Sequence, residues 1–312
     1  MFTFICTFSA CKGSTNETTA AASTTAEVTT LPGETAAAAT TLPGQSTYTT
    51  GDIITFGSYP QTKVESASLI SALNAQPLQA NKTVTYGGSK YKRVYFSKYT
   101  AGGGGTSTKP ADTFQDDNGF FFNTVYWFKF EPIQWRVLSD TNGELFVMAE
   151  NILDSRAYNQ TDKNVTWKIC TLRTWLNNDF YNTAFNSSER AKIKTSTVVN
   201  PANPWYGSPG GKNTNDKLFL LSYADTINPA YGFSSSYDTN DTARQAHGTD
   251  YAKSIGLYTN SSHLGYSYWW LRSPGLDSDF AGIININGCA YFYDDYVNYT
   301  YIGIRPAFII KL

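Results

Sequence analysis

Arg244, His247 and Asp250 stand three residues apart in TARQAHGTDYAKSIG, the grouping in this 312-residue chain best suited to moving protons. An imidazole between a guanidinium and a carboxylate can serve as acid or base. The stretch reads as a helix, but no activated nucleophile accompanies the three, which favours a helix surface carrying a hydrogen-bonded histidine. Asp277 and Asp279 form the second acid–base candidate. His247 and His263 are the only histidines, which leaves little material for an imidazole-ligated metal or a Ser–His or Cys–His pair. ADTFQDDNGF resembles a calcium loop, but Phe114 occupies the place of the first ligand aspartate, so Asp117-Asn118-Gly119 reads as a turn. Of the cysteines at 6, 11, 170 and 289, Cys170 falls in an expected helix as a small buried apolar residue. Spacing does not say whether it meets Cys289. The expectation is therefore a protein that is not an enzyme and needs no metal or cofactor.

The elements that would position these residues are mostly strands. TGDIITFGSYPQT, KYKRVYFSKY, FFNTVYWFKFEPIQWRVLS and GELFVMAENILD alternate apolar and polar residues or run as short apolar blocks between Gly, Asn and Asp turns. TWKICTLRTWLNNDFYNTAF places Ile169, Leu172, Trp175 and Leu176 at helical spacing, with Asn177-Asn178 near its end. Asn186 followed by Glu189 predicts a capping box on a short helix, SERAKIKT. LFLLS reads as a buried strand. The fold class is α+β, with strands outweighing helices and long irregular loops.

A formal net charge of -1 and a pI near 6.1 provide no basic footprint for nucleic acid and no polybasic segment for an anionic membrane. The start, MFTFICTFSAC, is apolar and leads through small residues into Cys11. It resembles the end of a bacterial lipoprotein signal, which implies lipidation at Cys11 and a membrane anchor. Residues 12–48 are nearly all Thr, Ala, Ser, Gly, Glu and Pro, with the near-repeat TTLPGETAAAATTLPGQS. Such a segment buries too little apolar area to offset its conformational entropy, and is expected to be a tether. Anchor (1–11), tether (12–48) and a single folded domain (49–312) together imply display outside the cell membrane.

In the C-terminal third, YWWLRSPG and GIRPAF stand out. Trp270, Leu271, Ile304 and Ile309 are expected in the core, and Arg272 and Arg305 are expected to satisfy carboxylates or carbonyls. The ordered set FGSYPQT (56–62), PIQWRVL (132–138), LRTWLN (172–177), FLLS (219–222), YWWLRSPG (268–275) and GIRPAF (303–308) resembles a family of bacterial surface lipoproteins carrying a domain of unknown function. The WW…GIRPA ending also resembles the C-type-lectin-like fold shared by formylglycine-generating enzymes and the variable proteins of diversity-generating retroelements. The likeness implies that fold, with short twisted sheets and few helices. The paired active-site cysteines of the first relative have no counterpart here.

In retroelement variable proteins, adenines in a template, often within Asn codons, are randomised on copying. Such codons cannot yield Lys, Glu, Gln, Met or Trp. Residues 276–301, LDSDFAGIININGCAYFYDDYVNYTY, contain none of these five, an absence with a chance of roughly 3% on composition alone. Asn287-Gly288 predicts a two-residue hairpin turn within the segment. Its Tyr, Asp, Asn, Ser and Gly content is that of a paratope, in which tyrosine gives large amphipathic contact area at low entropic cost. The expected contacts are Asp277, Asp279, Phe280, Asn285, Tyr291, Tyr293, Asp294, Tyr296, Tyr299 and Tyr301, and the ligand is a protein or a glycan. Both faces of the hairpin carry Ile or Phe, so its register is open. A fixed-specificity adhesin or carbohydrate-binding surface protein, and an extracytoplasmic enzyme of formylglycine-generating-enzyme-like fold, are the alternatives.

Overall fold

The computed structural model describes residues 48–96, 115–116, 118–260 and 263–311, with the side chains of 291–294 excepted. Cys11, residues 12–47 of the expected tether, Phe114 and Asp117 lie outside the described residues. Tyr48, the last residue of the expected tether, packs against the core.

FGSYPQT lies within Ile53–Lys63 (β1), which pairs antiparallel with Thr124–Thr141 (β4). Along its other edge β4 meets Ser89–Phe96 (β3) and then Glu144–Ala149 (β5). Thr83–Tyr86 (β2) and the C-terminal Ala307–Lys311 (β13) complete a six-stranded sheet of order β13-β5-β4-β3-β2, with β1 on β4. A second sheet joins Asp154–Ser155 (β6), Trp269–Pro274 (β9), Phe280–Ile284 (β10), Ala290–Tyr296 (β11) and Gly303–Ile304 (β12) in the order β11-β10-β9-β12-β6. Ser196–Val198 (β7) and Thr214–Asp216 (β8) form a small antiparallel pair. The helices are short: Ala67–Asn74 (α1), Thr171–Trp175 (α2), Tyr181–Ala184 (α3), Ser187–Lys192 (α4), Tyr223–Thr226 (α5) and Asp250–Ser254 (α6). The α+β class with strands dominant is thus the observed one.

One apolar cluster draws residues from both larger sheets, and aromatic pairs recur in it. Trp135 meets Phe308 edge-on at 4.6 Å, and Phe56 lies 5.4 Å from Phe185. Each buried indole finds an acceptor, since Trp135, Trp269 and Trp270 donate to the carbonyls of Phe56, Arg244 and Arg156. Gly57 is required where it stands: φ is +70°, and a Cβ there would lie 2.6 Å from the Phe185 ring. Both arginines of the C-terminal motifs act as expected. Arg272 binds the Leu220 carbonyl and Asp225 at 2.7 Å, and buried Arg305 donates to the Ala149 carbonyl at 2.7 Å. Trp270, Leu271 and Ile304 are buried as expected, whereas Ile309 is half-buried because Phe308 and Ile310 take the inward positions of β13.

Several expected elements change form. The Asn186–Glu189 capping box is present, and Glu189 also accepts from the Gly57 N–H at 3.2 Å, tying α4 to β1. The stretch expected as one helix ending near Asn177-Asn178 instead runs as a 3₁₀ turn, α2, a π-helical stretch at Leu176–Phe180 and α3, so it stays helical to Ala184. Asn177 accounts for part of this, because its amide spans the Arg173 and Leu218 carbonyls and its oxygen accepts from the Lys217 and Leu218 N–H groups. Ile169 consequently lies in the 3₁₀ turn at 63% exposure, outside the core stripe. LFLLS is buried but is no strand. Apart from a single bridge between Phe219 and Ala307, its carbonyls are met by Asn177, Arg272 and the Arg272 N–H. In TARQAHGTDYAKSIG only Asp250–Ser254 is helical, with Thr249 as its cap. Asn118 and Gly119 do form a turn, since the Asp116 carboxylate accepts from the N–H groups of Asn118 and Phe120.

Candidate functional site

The predicted contacts divide by location. Asp277 is exposed in the turn after Gly275, where its carboxylate accepts from the Ser278 N–H at 2.7 Å. Asp279 is half-buried, and its carbonyl accepts from the Val297 N–H, closing the base of the hairpin. Phe280 and Tyr296 sit opposite each other on β10 and β11, ring centroids 4.2 Å apart. Tyr296 meets Tyr299 at 5.5 Å, and Tyr299 stacks on Tyr301 at 5.2 Å. These four rings make a continuous ridge whose outer members, Phe280, Tyr296 and Tyr299, reach the surface. Tyr291, Tyr293 and Asp294 lie on β11, where Tyr291 pairs in register with Ile283, and their side chains are outside the described ones.

Two predicted contacts are not displayed. Tyr301 is 8% exposed and anchors the ridge from inside. Asn285 is 9% exposed, and its oxygen accepts from the N–H groups of Asn287 and Cys289 at 2.9 Å each. It organises the connection between β10 and β11. That connection covers residues 285–289 rather than the expected two, because the Asn285 side chain makes a turn that wraps the Asn287-Gly288 pair from outside it. Gly288, at φ +80°, lets the Asp241 backbone approach closely enough that no Cβ would fit.

The register question resolves toward a buried frame. Ala281, Ile283, Ile284, Ala290 and Val297 are inside, and Gly282 leaves room for the Tyr223 ring. Asp295, which sequence reasoning passed over, pairs in register with buried Ala281 and is half-buried. Removal from water pushes its carboxyl up to about 7.

The proton-transfer candidates do not come together. Arg244 is fully buried, bonding the Thr226, Ser236 and Thr239 carbonyls and pairing with Asp241. His247 stacks on Tyr266 at 4.3 Å, while Asp250 accepts from the Lys63 backbone. Among the described residues no hydrogen bond or ion pair links the three, and no cluster of His, Cys, Asp or Glu is arranged to hold a metal. Cys170 is a free buried thiol, pushed up to about 12 by burial, so it does not pair with Cys289. No helix among the described residues is long and apolar enough to cross a membrane.

Beside the ridge lies a cleft of about 540 Å³ that the sequence did not signal. Arg156, following β6, lies over the Trp175 ring with its guanidinium carbon 3.6 Å from the centroid, and Thr300 of the C-terminal segment closes one side. These residues are far apart in the sequence and polar in type, so no periodicity marks them.

No curated protein and no solved structure matches the chain. Residues 142–312 match a family described as a domain of unknown function, DUF6273, starting at the turn between β4 and β5 and running to the C-terminus. That match takes in both β10 and β11, with the ridge and the cleft, and on its strength the chain belongs to the DUF6273 family.

Proposed function

We propose that this chain is a lipid-anchored, extracytoplasmic binding protein with a C-type-lectin-like domain, whose ligand, a protein or a glycan, rests on the ridge formed by Phe280, Tyr296 and Tyr299. The observation carrying this reading is the unbroken run of ring contacts from Phe280 through Tyr296 and Tyr299 to Tyr301. Aromatic rings fixed by one another and by a buried frame lose little entropy on binding, as anchor residues of an interface require. Asp277 and Asp279 at its edge supply polar specificity. Buried Ala281, Ile283 and Val297 separate frame from display, the division that a segment rewritten by a retroelement would need.

The binding test presents the full-length chain to a glycan array and to displayed surface proteins, then repeats each positive with Tyr296→Ala and Tyr299→Ala. A loss of at least roughly tenfold is expected for an anchor residue. Ligands held with unchanged affinity by both variants would place the binding surface elsewhere. A near-identical template differing at adenines, next to a reverse transcriptase gene, is the expected genomic companion of diversification. Without either, specificity is fixed.

A further inference from the structure

The cleft beside the ridge holds a guanidinium aimed into open space. Arg156 Nε donates to Asp154 at 3.2 Å, and Asp154, fully buried, also accepts from the Tyr59 hydroxyl at 2.8 Å. The guanidinium face is covered by Trp175. One edge and one face of the planar group are thereby fixed, while Nη1 and Nη2 make no hydrogen bond among the described residues. Its side chain keeps 34% exposure. A planar cation held this way presents a two-pronged donor matched to a carboxylate, with the ordering cost already met by the fold.

The rest of the lining indicates which carboxylate. Gln160, Thr171, Thr174 and Thr300 offer amide and hydroxyl groups, and Asp179 lies exposed one helical turn beyond Trp175. A second carboxylate in the cleft repels acidic peptides but accepts hydrogen bonds from hydroxyls. At about 540 Å³ the space falls within the roughly 300–1,000 Å³ of small-ligand sites. We propose that this cleft binds an acidic sugar, a uronic acid or a chain ending in one, through Arg156 on its carboxylate and Asp179 with Gln160 on its hydroxyls. Ile169, exposed on the rim, offers an apolar surface to the C–H face of the ring. The inference stands apart from the aromatic ridge, because a monosaccharide fills the cleft alone.

Calorimetric titration of the full-length chain with D-glucuronate, glucose and a tetraglutamate peptide tests it. Glucuronate is expected to bind at least tenfold more tightly than glucose. Arg156→Lys, which keeps charge but loses the fork, should weaken glucuronate at least tenfold. Gln160→Ala, at an exposed position that does not touch Asp154, should weaken it severalfold and decides the matter if the Arg156 variant fails to fold. Asp179→Asn should weaken glucuronate yet strengthen the peptide. Equal binding of glucose and glucuronate overturns the proposal, as does tetraglutamate binding more tightly than glucuronate, or glucuronate affinity unchanged in both Arg156→Lys and Gln160→Ala. Failure here leaves the ridge reading intact, since that reading is tested by macromolecular ligands and tyrosine variants.

Discussion

Replacing Asp295 with asparagine should stabilise the protein at neutral and alkaline pH. Burial raises its carboxyl to about 7 in the folded chain, against about 3.9 for an unperturbed aspartate. The native state therefore keeps a proton that the unfolded chain gives up. Below about pH 4 both states are protonated and the residue is neutral in its effect. Between about 4 and 7 stability falls as pH rises, and above 7 the loss is complete because an ionised group sits in a half-dry site. A difference of about three pKa units corresponds to about 4 kcal/mol. The side chain keeps some contact with water, and screening reduces this to about 2–4 kcal/mol. Urea unfolding of wild type and Asp295→Asn at pH 4.5, 6, 7 and 8.5 measures it. The variant should match wild type near pH 4 and exceed it by that amount at 8.5, with a shallower slope between. A variant equally stable or less stable at pH 8.5 would show that burial does not govern this carboxylate.

Three further perturbations address the frame. Gly57→Ala should cost about 2–4 kcal/mol by chemical denaturation, because it combines a left-handed backbone with a Cβ 2.6 Å from the Phe185 ring. Asn285→Ala should cost about 1–3 kcal/mol in the same measurement, since two N–H groups lose their acceptor. A fragment of residues 142–312 should lack cooperative unfolding by calorimetry, because β5 and β13 would be severed from β4 and left as an open two-strand ribbon. A cooperative transition in that fragment would show that the family segment folds without the first four strands.

Local signals succeeded where the physics is local. The Asn186 capping box needs only four residues, and it formed. The alternation in FFNTVYWFKFEPIQWRVLS became β4, whose length lets it serve β1 on one edge and β3 and β5 on the other. The Asn-Gly signal found the β10–β11 turn but not its length, since Asn285 lies outside the dipeptide and acts through its side chain. LFLLS misled because apolar runs report burial, and burial can be achieved without a ladder when Asn177 and Arg272 satisfy the carbonyls. The helical spacing near Trp175 marked a real apolar face, but the end expected near Asn177-Asn178 is a π-helical stretch, shaped by Asn177 partners about forty residues away.

For the candidate site, composition marked residues 276–301 as a tyrosine-rich segment, and the motifs on either side gave its bounds. Tertiary structure decided which letters face outward: Phe280, Tyr296 and Tyr299 surface together, while Asn285 and Tyr301 turn inward. It also separated Arg244, His247 and Asp250 into unrelated tasks and brought Arg156, Trp175 and Thr300 to one cleft. The division has a physical cause. Alternation, capping and composition are set by neighbours within a few residues, whereas a cleft exists only after distant segments pack, and only then does a buried carboxylate such as Asp154 aim the arginine beside it.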